Sequence, residues 1–169
     1  MNKIAPFVAA LVATGLLAAC SSNDSSTSDS TTTVVSSGVV RPGSPSAILS
    51  ATAWETTGGK NVQGEAVPLT DPNVQNYVGF AYFKPDGTFT MYNLDDSPKM
   101  HGDWSVTPDG KTRVIVAKND AGVEQFRRES PIVTLTDKEF TYRVYPDGAN
   151  TAVYYDIVHT PTSHAEPAK

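Results

Sequence analysis

Three copies of the tripeptide Pro-Asp-Gly constrain the fold of this chain more than any other feature. They occupy residues 85–87, 108–110 and 146–148, and each lies between two short runs rich in aromatic and β-branched residues. Proline presets φ at the first central position of a type I turn, aspartate tolerates the second, and glycine takes the left-handed conformation that closes a bulged hairpin. The tripeptides therefore predict three β-hairpins.

The remaining pattern predicts strands and almost no helix. Phe140, Tyr142 and Val144 alternate with polar residues, which is typical of an antiparallel sheet with one face against a core. Asp71–Gln75 predicts a single helical turn with the aspartate as N-cap, and the Gly-Gly-Lys of residues 58–60 predicts another hairpin turn. The nine predicted strands are Ile48–Glu55, Tyr77–Lys84, Thr88–Asn93, Gly102–Thr107, Thr112–Lys118, Val123–Ser130, Ile132–Thr136, Glu139–Tyr145 and Ala152–His159.

Short antiparallel strands joined mostly by hairpins predict an all-β, up-and-down meander. Closing the meander into a small barrel of eight or nine strands removes the unpaired sheet edges, so a barrel is the favoured architecture. A two-sheet β-sandwich is the alternative. A barrel of about eight strands has an interior that side chains just fill, or that holds one small ligand. The sequence is compatible with a filled interior and with an interior that holds a ligand.

Composition divides the chain into four segments. Residues 1–19 are predicted to be a signal peptide, because their apolar stretch (4–17) would span roughly 21 Å as a helix, short of the roughly 30 Å hydrocarbon core. Residues 20–46 are rich in serine and threonine and contain no aromatic residue, which predicts a disordered tether. The β-barrel domain is predicted over residues 47–162, followed by a polar tail over 163–169.

The single cysteine of the chain, Cys20, ends the run Leu-Ala-Ala-Cys at residues 17–20. This run resembles the lipobox of bacterial lipoproteins. The resemblance implies cleavage before Cys20, acylation of its sulfur, and a cell-envelope protein held on a membrane by an N-terminal lipid anchor. The next residue is Ser21 and not aspartate, which in Gram-negative lipoproteins resembles the outer-membrane sorting choice. An ordinary secretory signal cut after Ala19 is the alternative.

The charge balance bears on partners. Loss of residues 1–19 removes Lys3, so the 13 basic and 18 acidic residues of the full chain become 12 and 18, a net charge of −6. A mildly acidic chain argues against nucleic acid or anionic lipid headgroups as main partners. One cysteine allows no disulfide within the chain, so the domain must rest on its core.

Several motifs resemble the lipocalin-like domains of bacterial lipoproteins. The resemblance spans most of residues 48–159, and the whole domain is also similar to a family of uncharacterised bacterial secreted domains. It implies a barrel that binds a small apolar or amphipathic molecule, with no cofactor and no catalytic residue to carry over. The motifs are Ala53-Trp54-Glu55, Phe80-x-x-Phe83 followed by Asp86-Gly87-Thr88-Phe89, and Gly102-x-Trp104 leading to Asp109-Gly110-Lys111.

Strand tyrosines and one arginine are the candidate ligand-binding residues. Tyrosine hydroxyls converging on a pocket wall would orient a ligand, whereas the alternative is that these rings pack the core and the barrel rim. The candidates are Tyr82, Tyr92, Arg128, Tyr142 and Tyr155.

The arginine is a candidate because Arg127 and Arg128 point to opposite faces of one strand. An inward arginine needs an acidic side chain or an anionic ligand as its partner. Arg128 or Arg113 could be the buried charge, or neither.

The sequence contains no recognisable catalytic set. His101 and Asp103 share a strand face and could bind a divalent ion together with Asp95 and Asp96, but a solvated loop entering a strand is favoured, and His164 is expected to be mobile in the tail. We therefore predict a non-enzymatic binding module without metal or cofactor. The alternatives are a protein-interaction or inhibitor module with a filled barrel that contacts an envelope protein, and an unrecognised enzyme centred on His101 and Asp103.

Overall fold

The computed structural model describes residues 41–148 and 150–168. Within these ranges it contains one short α-helix, one 3₁₀-helix and nine strands. No helix in the described part of the chain is long and apolar enough to cross a membrane. The bounds are α1 Pro45–Leu49, β1 Ala53–Lys60, β2 Ala66–Val67, the 3₁₀-helix Gln75–Tyr77, β3 Phe80–Phe83, β4 Thr88–Tyr92, β5 Pro98–Val106, β6 Thr112–Lys118, β7 Glu124–Leu135, β8 Phe140–Val144 and β9 Tyr155–Thr162.

The strands form one closed antiparallel barrel. Strands β3 to β9 pair in chain order, β1 pairs with β3 on one side, and β1 also pairs with β9, which closes the ring of eight strands. The two-residue strand β2 pairs with the end of β1 and lies outside the ring. The predicted up-and-down barrel is therefore confirmed, and the alternative of a two-sheet sandwich is wrong, because the β1–β9 pairing leaves no pair of separate sheets.

Two of the Pro-Asp-Gly turns form the tight hairpins that the sequence predicts. Gly87 and Gly110 have φ of 87° and 72°. The carboxylate of Asp86 accepts from the Thr88 backbone N–H at 2.9 Å, and Asp109 accepts from that of Lys111 at 3.1 Å. The third tripeptide, at 146–148, lies in a longer connection between β8 and β9, so β9 begins later than predicted.

The first predicted strand is wrong over its first half. Residues 45–49 form α1 instead, because Ser44 is the N-cap and Pro45 occupies the first turn, where a missing N–H costs nothing. Leu49 at the end of α1 is completely buried in the core, and its carbonyl oxygen accepts from the Trp54 indole N–H at 2.8 Å. The helix thereby closes one end of the barrel interior.

Two other predicted boundaries also differ from the structure. Residues 58–60 belong to β1 and pair with β9 after a bulge, so they are not a hairpin turn. The two strands predicted at 123–130 and 132–136 are the single strand β7, in which Pro131 lies opposite Thr112. Thr112 is the first residue of β6, so the proline falls where this ladder ends and a missing donor is tolerated.

The barrel has an apolar interior and a second, smaller cluster on its outer face. Trp54, Phe83 and Phe140 pack in the interior, with ring centroids 5.8 to 6.1 Å apart. On the outside, residues 163–168 lie across β3 and β4. The ring of His164, which we expected to be mobile, stacks on Phe80 at 3.9 Å. This outer cluster buries aromatic residues that do not face the barrel interior.

Candidate ligand site inside the barrel

One end of the barrel interior is covered by residues 68–79, called the cap segment here, which connect β2 to β3. Val74 of this segment is completely buried in the core, and Tyr77 packs against it. Beneath the cap segment lies a cavity with a free volume of about 30 Å³, which exceeds the roughly 10–15 Å³ that a cavity needs in order to hold one water molecule.

A buried arginine is the central feature of this cavity. Arg113 faces inward because it shares a face of β6 with Ile115 and Ala117, and only 2% of it is exposed. Its guanidinium carbon lies 3.8 Å from the centre of the Tyr142 ring. Nη2 donates a long hydrogen bond of 3.4 Å to the Ser130 hydroxyl, and Nε has no hydrogen-bond partner among the described residues. The arginine is thus held by stacking, with donor capacity left over.

Arg113 remains charged despite its burial. Desolvation lowers the pKa of its guanidinium from an ordinary value of 12.5, but arginine titrates so far above neutrality that it keeps its proton. The same desolvation raises the pKa of the Tyr142 hydroxyl, and the neighbouring Arg113 charge opposes that rise. A neutral tyrosine therefore stacks on a charged guanidinium, which is a favourable cation–π arrangement.

Two further cations line the same cavity. Lys99 donates to the Val78 carbonyl oxygen at 2.6 Å, and burial lowers the pKa of its ammonium group. The Arg128 guanidinium lies 5.6 Å from the Tyr77 ring centre and 5.2 Å from that of Phe126. No acidic side chain of residues 41–148 or 150–168 lines this cavity. The cavity is therefore cationic and lacks a carboxylate of its own.

A neutral histidine completes the polar lining. His159 is buried between the rings of Phe140 and Tyr142, at centroid distances of 5.4 and 5.3 Å. Its Nε2 lies 3.1 Å from the Thr56 hydroxyl oxygen, while Nδ1 has no hydrogen-bond partner among the described atoms. Desolvation, with a contribution from the Arg113 charge, lowers the pKa of this imidazole from 6.5 to about 3. The ring is consequently uncharged at neutral pH.

The structure brings some of the predicted site residues together and separates others. Arg128 and Tyr142 line the cavity, and Tyr92 borders it although its ring belongs to the outer cluster. Tyr82 lies on the outside, where its hydroxyl contacts His164 Nδ1 at 2.7 Å. Tyr155 is partly buried against the core, and its hydroxyl accepts from the Asn73 side chain at 3.2 Å, away from the cavity lining.

The prediction did not include two central cavity residues, His159 and Thr56, and left Arg113 as one of two options. Their positions were available in the alternation of the strands. His159 is two residues from Ile157, and Arg113 is two residues from Ile115, so both share a face with a core residue. The signal that was missed is a polar residue two positions from a core residue on the same strand, which places both on the inward face.

The alternative centre at His101 and Asp103 lies on the outer face of β5. Asp103 forms an ion pair with Lys118, and His101 Nε2 is 3.8 Å from the Asp120 carboxylate. Among the described residues no group of three or more histidine, cysteine, aspartate or glutamate side chains could hold a metal ion. Asp103 is thus part of a surface ion pair, and His101 lies beside another surface carboxylate.

Fold and cavity together define a small closed antiparallel β-barrel with a cationic interior site. The chain belongs to the family described as a domain of unknown function (DUF4822), whose model matches residues 46–168. The predicted resemblance to an uncharacterised domain family is confirmed by this match. No curated protein matches the chain.

A solved structure is also similar to the chain. It is the crystal structure of a lipocalin-like protein from Bacteroides uniformis, at 13% sequence identity and a TM-score of 0.46. The similarity covers 68% of this chain and 99% of that one.

Proposed function

We propose that the domain is a non-enzymatic binding module that holds a small molecule in the cavity beneath the cap segment. The observation that carries this proposal is the unsatisfied polar lining, Arg113 Nε and His159 Nδ1. Buried polar groups are almost always hydrogen-bonded, and leaving one unpaired costs about 1–3 kcal/mol. A ligand with polar atoms would supply the missing partners and recover that cost.

The size of the cavity limits what binds there. Pockets for drug-sized molecules enclose roughly 300–1,000 Å³, whereas this cavity has about 30 Å³. With the cap segment in place, it admits a very small molecule or the polar end of a larger amphipathic one. The apolar part of an amphipathic ligand would have to displace Tyr77 and Val78, which line the cavity, so binding of a long-chain molecule requires the cap segment to move.

We expect native mass spectrometry of the full-length protein, purified from its own host in detergent, to detect a noncovalent adduct. Tyr142→Phe removes a hydroxyl at the cavity and should weaken binding about fivefold, and so lower the occupied fraction, since a hydrogen bond contributes about 1 kcal/mol. Tyr82→Phe is the matched control, because it removes a hydroxyl on the outer face. Equal loss in both variants would contradict a ligand in the barrel.

A second candidate function is a protein-interaction module with a filled barrel. Alternate connections of an up-and-down barrel share one end, which here carries the cap segment. Three large hydrophobic residues in these connections, Leu94, Val123 and Val153, are between 43% and 57% exposed. An envelope protein could cover them. A bare mass in the experiment above would favour this function over ligand binding.

We further propose that the protein is a lipoprotein of the cell envelope, and that it is sorted to the outer membrane if its host is Gram-negative. Cys20 and the lipobox-like run lie outside the described residues, so the sequence alone supports this step. Cys20→Ala should shift the protein from the membrane fraction to the soluble fraction, because one or more acyl chains provide the anchor. Ser21→Ala is the control that should leave it membrane-bound. A wild-type protein with a free thiol would indicate an ordinary secretory signal instead.

A further inference from the structure

We infer that the cavity binds a carboxylate group, with Arg113 and Arg128 as its charge partners. This inference rests on the proposed function, since it names the chemistry of the ligand at the same site. A fully buried charge is expensive unless it is paired. Arg113 is buried and unpaired, with two other cations on the same cavity and no acidic side chain among the described lining residues.

Another arginine of the barrel, Arg143, has the carboxylate partner that Arg113 lacks. Arg143 lies on the outer face of β8, where its Nε and Nη2 donate to the two oxygens of the Asp156 carboxylate at 2.8 and 3.0 Å. This is the two-bond geometry that a guanidinium and a carboxylate prefer. The more deeply buried Arg113 needs such a partner more, and the described chain supplies none. A carboxylate from outside would complete the same arrangement in the interior.

The stacking of Arg113 leaves its donors available for that partner. The guanidinium carbon lies over the Tyr142 ring, 3.8 Å from its centre, and Nε has no hydrogen-bond partner among the described residues. Stacking on a neighbouring ring also fixes the orientation of the plane before a ligand arrives. Little ordering cost would remain at binding, which favours affinity for a planar carboxylate.

Volume selects carboxylate over larger oxyanions. A free volume of about 30 Å³ accommodates a planar group of three heavy atoms more easily than a tetrahedral group with four oxygens. The apolar side chains of Ile115 and Met100 line the same cavity, and they offer no hydrogen-bond donor for the additional oxygens of sulfate or phosphate. The carboxylate can belong to a free small acid or to the head of an amphipathic acid, and the site chemistry is the same for both.

The test is thermal unfolding of the full-length protein in detergent at neutral pH, with ionic strength held constant by sodium chloride. Sodium acetate should raise Tm saturably by about 3 °C or more, whereas acetamide, its neutral analogue, should not. Arg113→Met and Arg128→Met should each abolish the acetate response. Arg127→Met is the matched control, since Arg127 is exposed beside Arg128 and pairs with Glu129 at 3.6 Å. Arg128→Met keeps the test open if Arg113→Met does not fold.

The outcomes separate this inference from the proposed function. A saturable response to acetate that requires both arginines supports it, and a larger response to hexanoate than to acetate identifies an amphipathic acid as the source. An equal response to sulfate, or an acetate response that survives in both arginine variants, overturns it. A neutral molecule in the native mass spectrum, without any acetate response, overturns the carboxylate and leaves the binding function standing. No adduct and no acetate response overturn both.

Discussion

Acidification from about pH 7.5 to 4.5 should lower the free energy of unfolding by about 2–3 kcal/mol through His159 alone. The pKa of this buried imidazole is about 3 in the folded protein, against an ordinary value of 6.5. Below pH 6.5 the unfolded chain therefore takes up a proton that the folded chain refuses. The stability contributed by the neutral ring is complete above pH 6.5 and is lost as the pH falls toward 3.

The groups around His159 explain why the folded state refuses the proton. Desolvation is the largest cause of the lowered pKa, and the Arg113 and Lys99 charges add repulsion. Tyr142 stacks on the ring, and the Thr56 hydroxyl contacts Nε2. None of these neighbours offers a negative charge at neutral pH that would stabilise an imidazolium.

The measurement is urea unfolding followed by tryptophan fluorescence at both pH values, in a buffer without small carboxylates. Trp54 and Trp104 are both buried and report on the core. His159→Gln should remove most of the pH dependence, because glutamine does not titrate. His101→Gln, at a histidine with a partly exposed side chain, should retain it. A wild-type stability that stays flat across this range would show that His159 is not buried as described.

The pH window avoids the aspartates of the hairpin turns. Hydrogen bonds from Thr88, Ser97 and Thr107 are the largest causes that lower the pKa values of Asp86, Asp95 and Asp109 below 3.8. Groups with a lowered carboxyl pKa contribute stability above their unfolded value, which disappears only as the pH falls through the folded value. Their effect therefore begins near pH 3.8, below the window of pH 7.5 to 4.5 in which His159 is tested.

The architecture could be predicted because its determinants are local. The turns at residues 85–87 and 108–110 use the chemistry that their residues dictate, and strand alternation supplies one apolar face per strand. The error at α1 was also local, since the Ser44-Pro45 signal for a helix start was present and was not used. Closure of the barrel was predictable because a closed ring of strands has no unpaired sheet edges.

The candidate site was predicted only in part because alternation does not tell which face is the interior. In β3, both faces are buried: Ala81 and Phe83 face the barrel core, while Phe80 and Tyr82 lie under the tail that contains His164. A distant segment thus gave an outer face the appearance of a core face. Tyr82 was a candidate because it lies on a strand, and only the long-range packing of the tail shows that it faces outward.

The charge inside the barrel is a different kind of omission. Average hydrophobicity places Arg113 on a surface, because an unpaired buried guanidinium is costly. Alternation places it in the interior, and the structure agrees with alternation. Hydrophobicity and strand alternation thus give opposite predictions for a residue that lines the cavity. Such disagreements are expected at functional sites.

Replacing Gly102 with alanine should destabilise the barrel strongly. Gly102 is in β5 at φ +154°, and a Cβ at this position would overlap the Val116 carbonyl oxygen on β6 and approach the Ala117 Cα to 3.1 Å. A non-glycine residue in such backbone costs about 1–3 kcal/mol, and forcing extra volume into a packed core costs about 1–3 kcal/mol more. The overlap is with backbone, so no rotamer change can relieve it.

We therefore expect Gly102→Ala to lower the free energy of unfolding by about 3 kcal/mol or more, measured by urea unfolding with tryptophan fluorescence. Gly122→Ala isolates the backbone cost, because Gly122 has φ +77° and open space around it; this control should cost only about 1–2 kcal/mol. The difference between the two losses in unfolding free energy is the cost of the overlap between the added methyl group and the backbone of β6. Equal losses would mean that β5 and β6 can move apart at this point without cost. The glycine of the Gly102-x-Trp104 motif would then be required only for its backbone conformation.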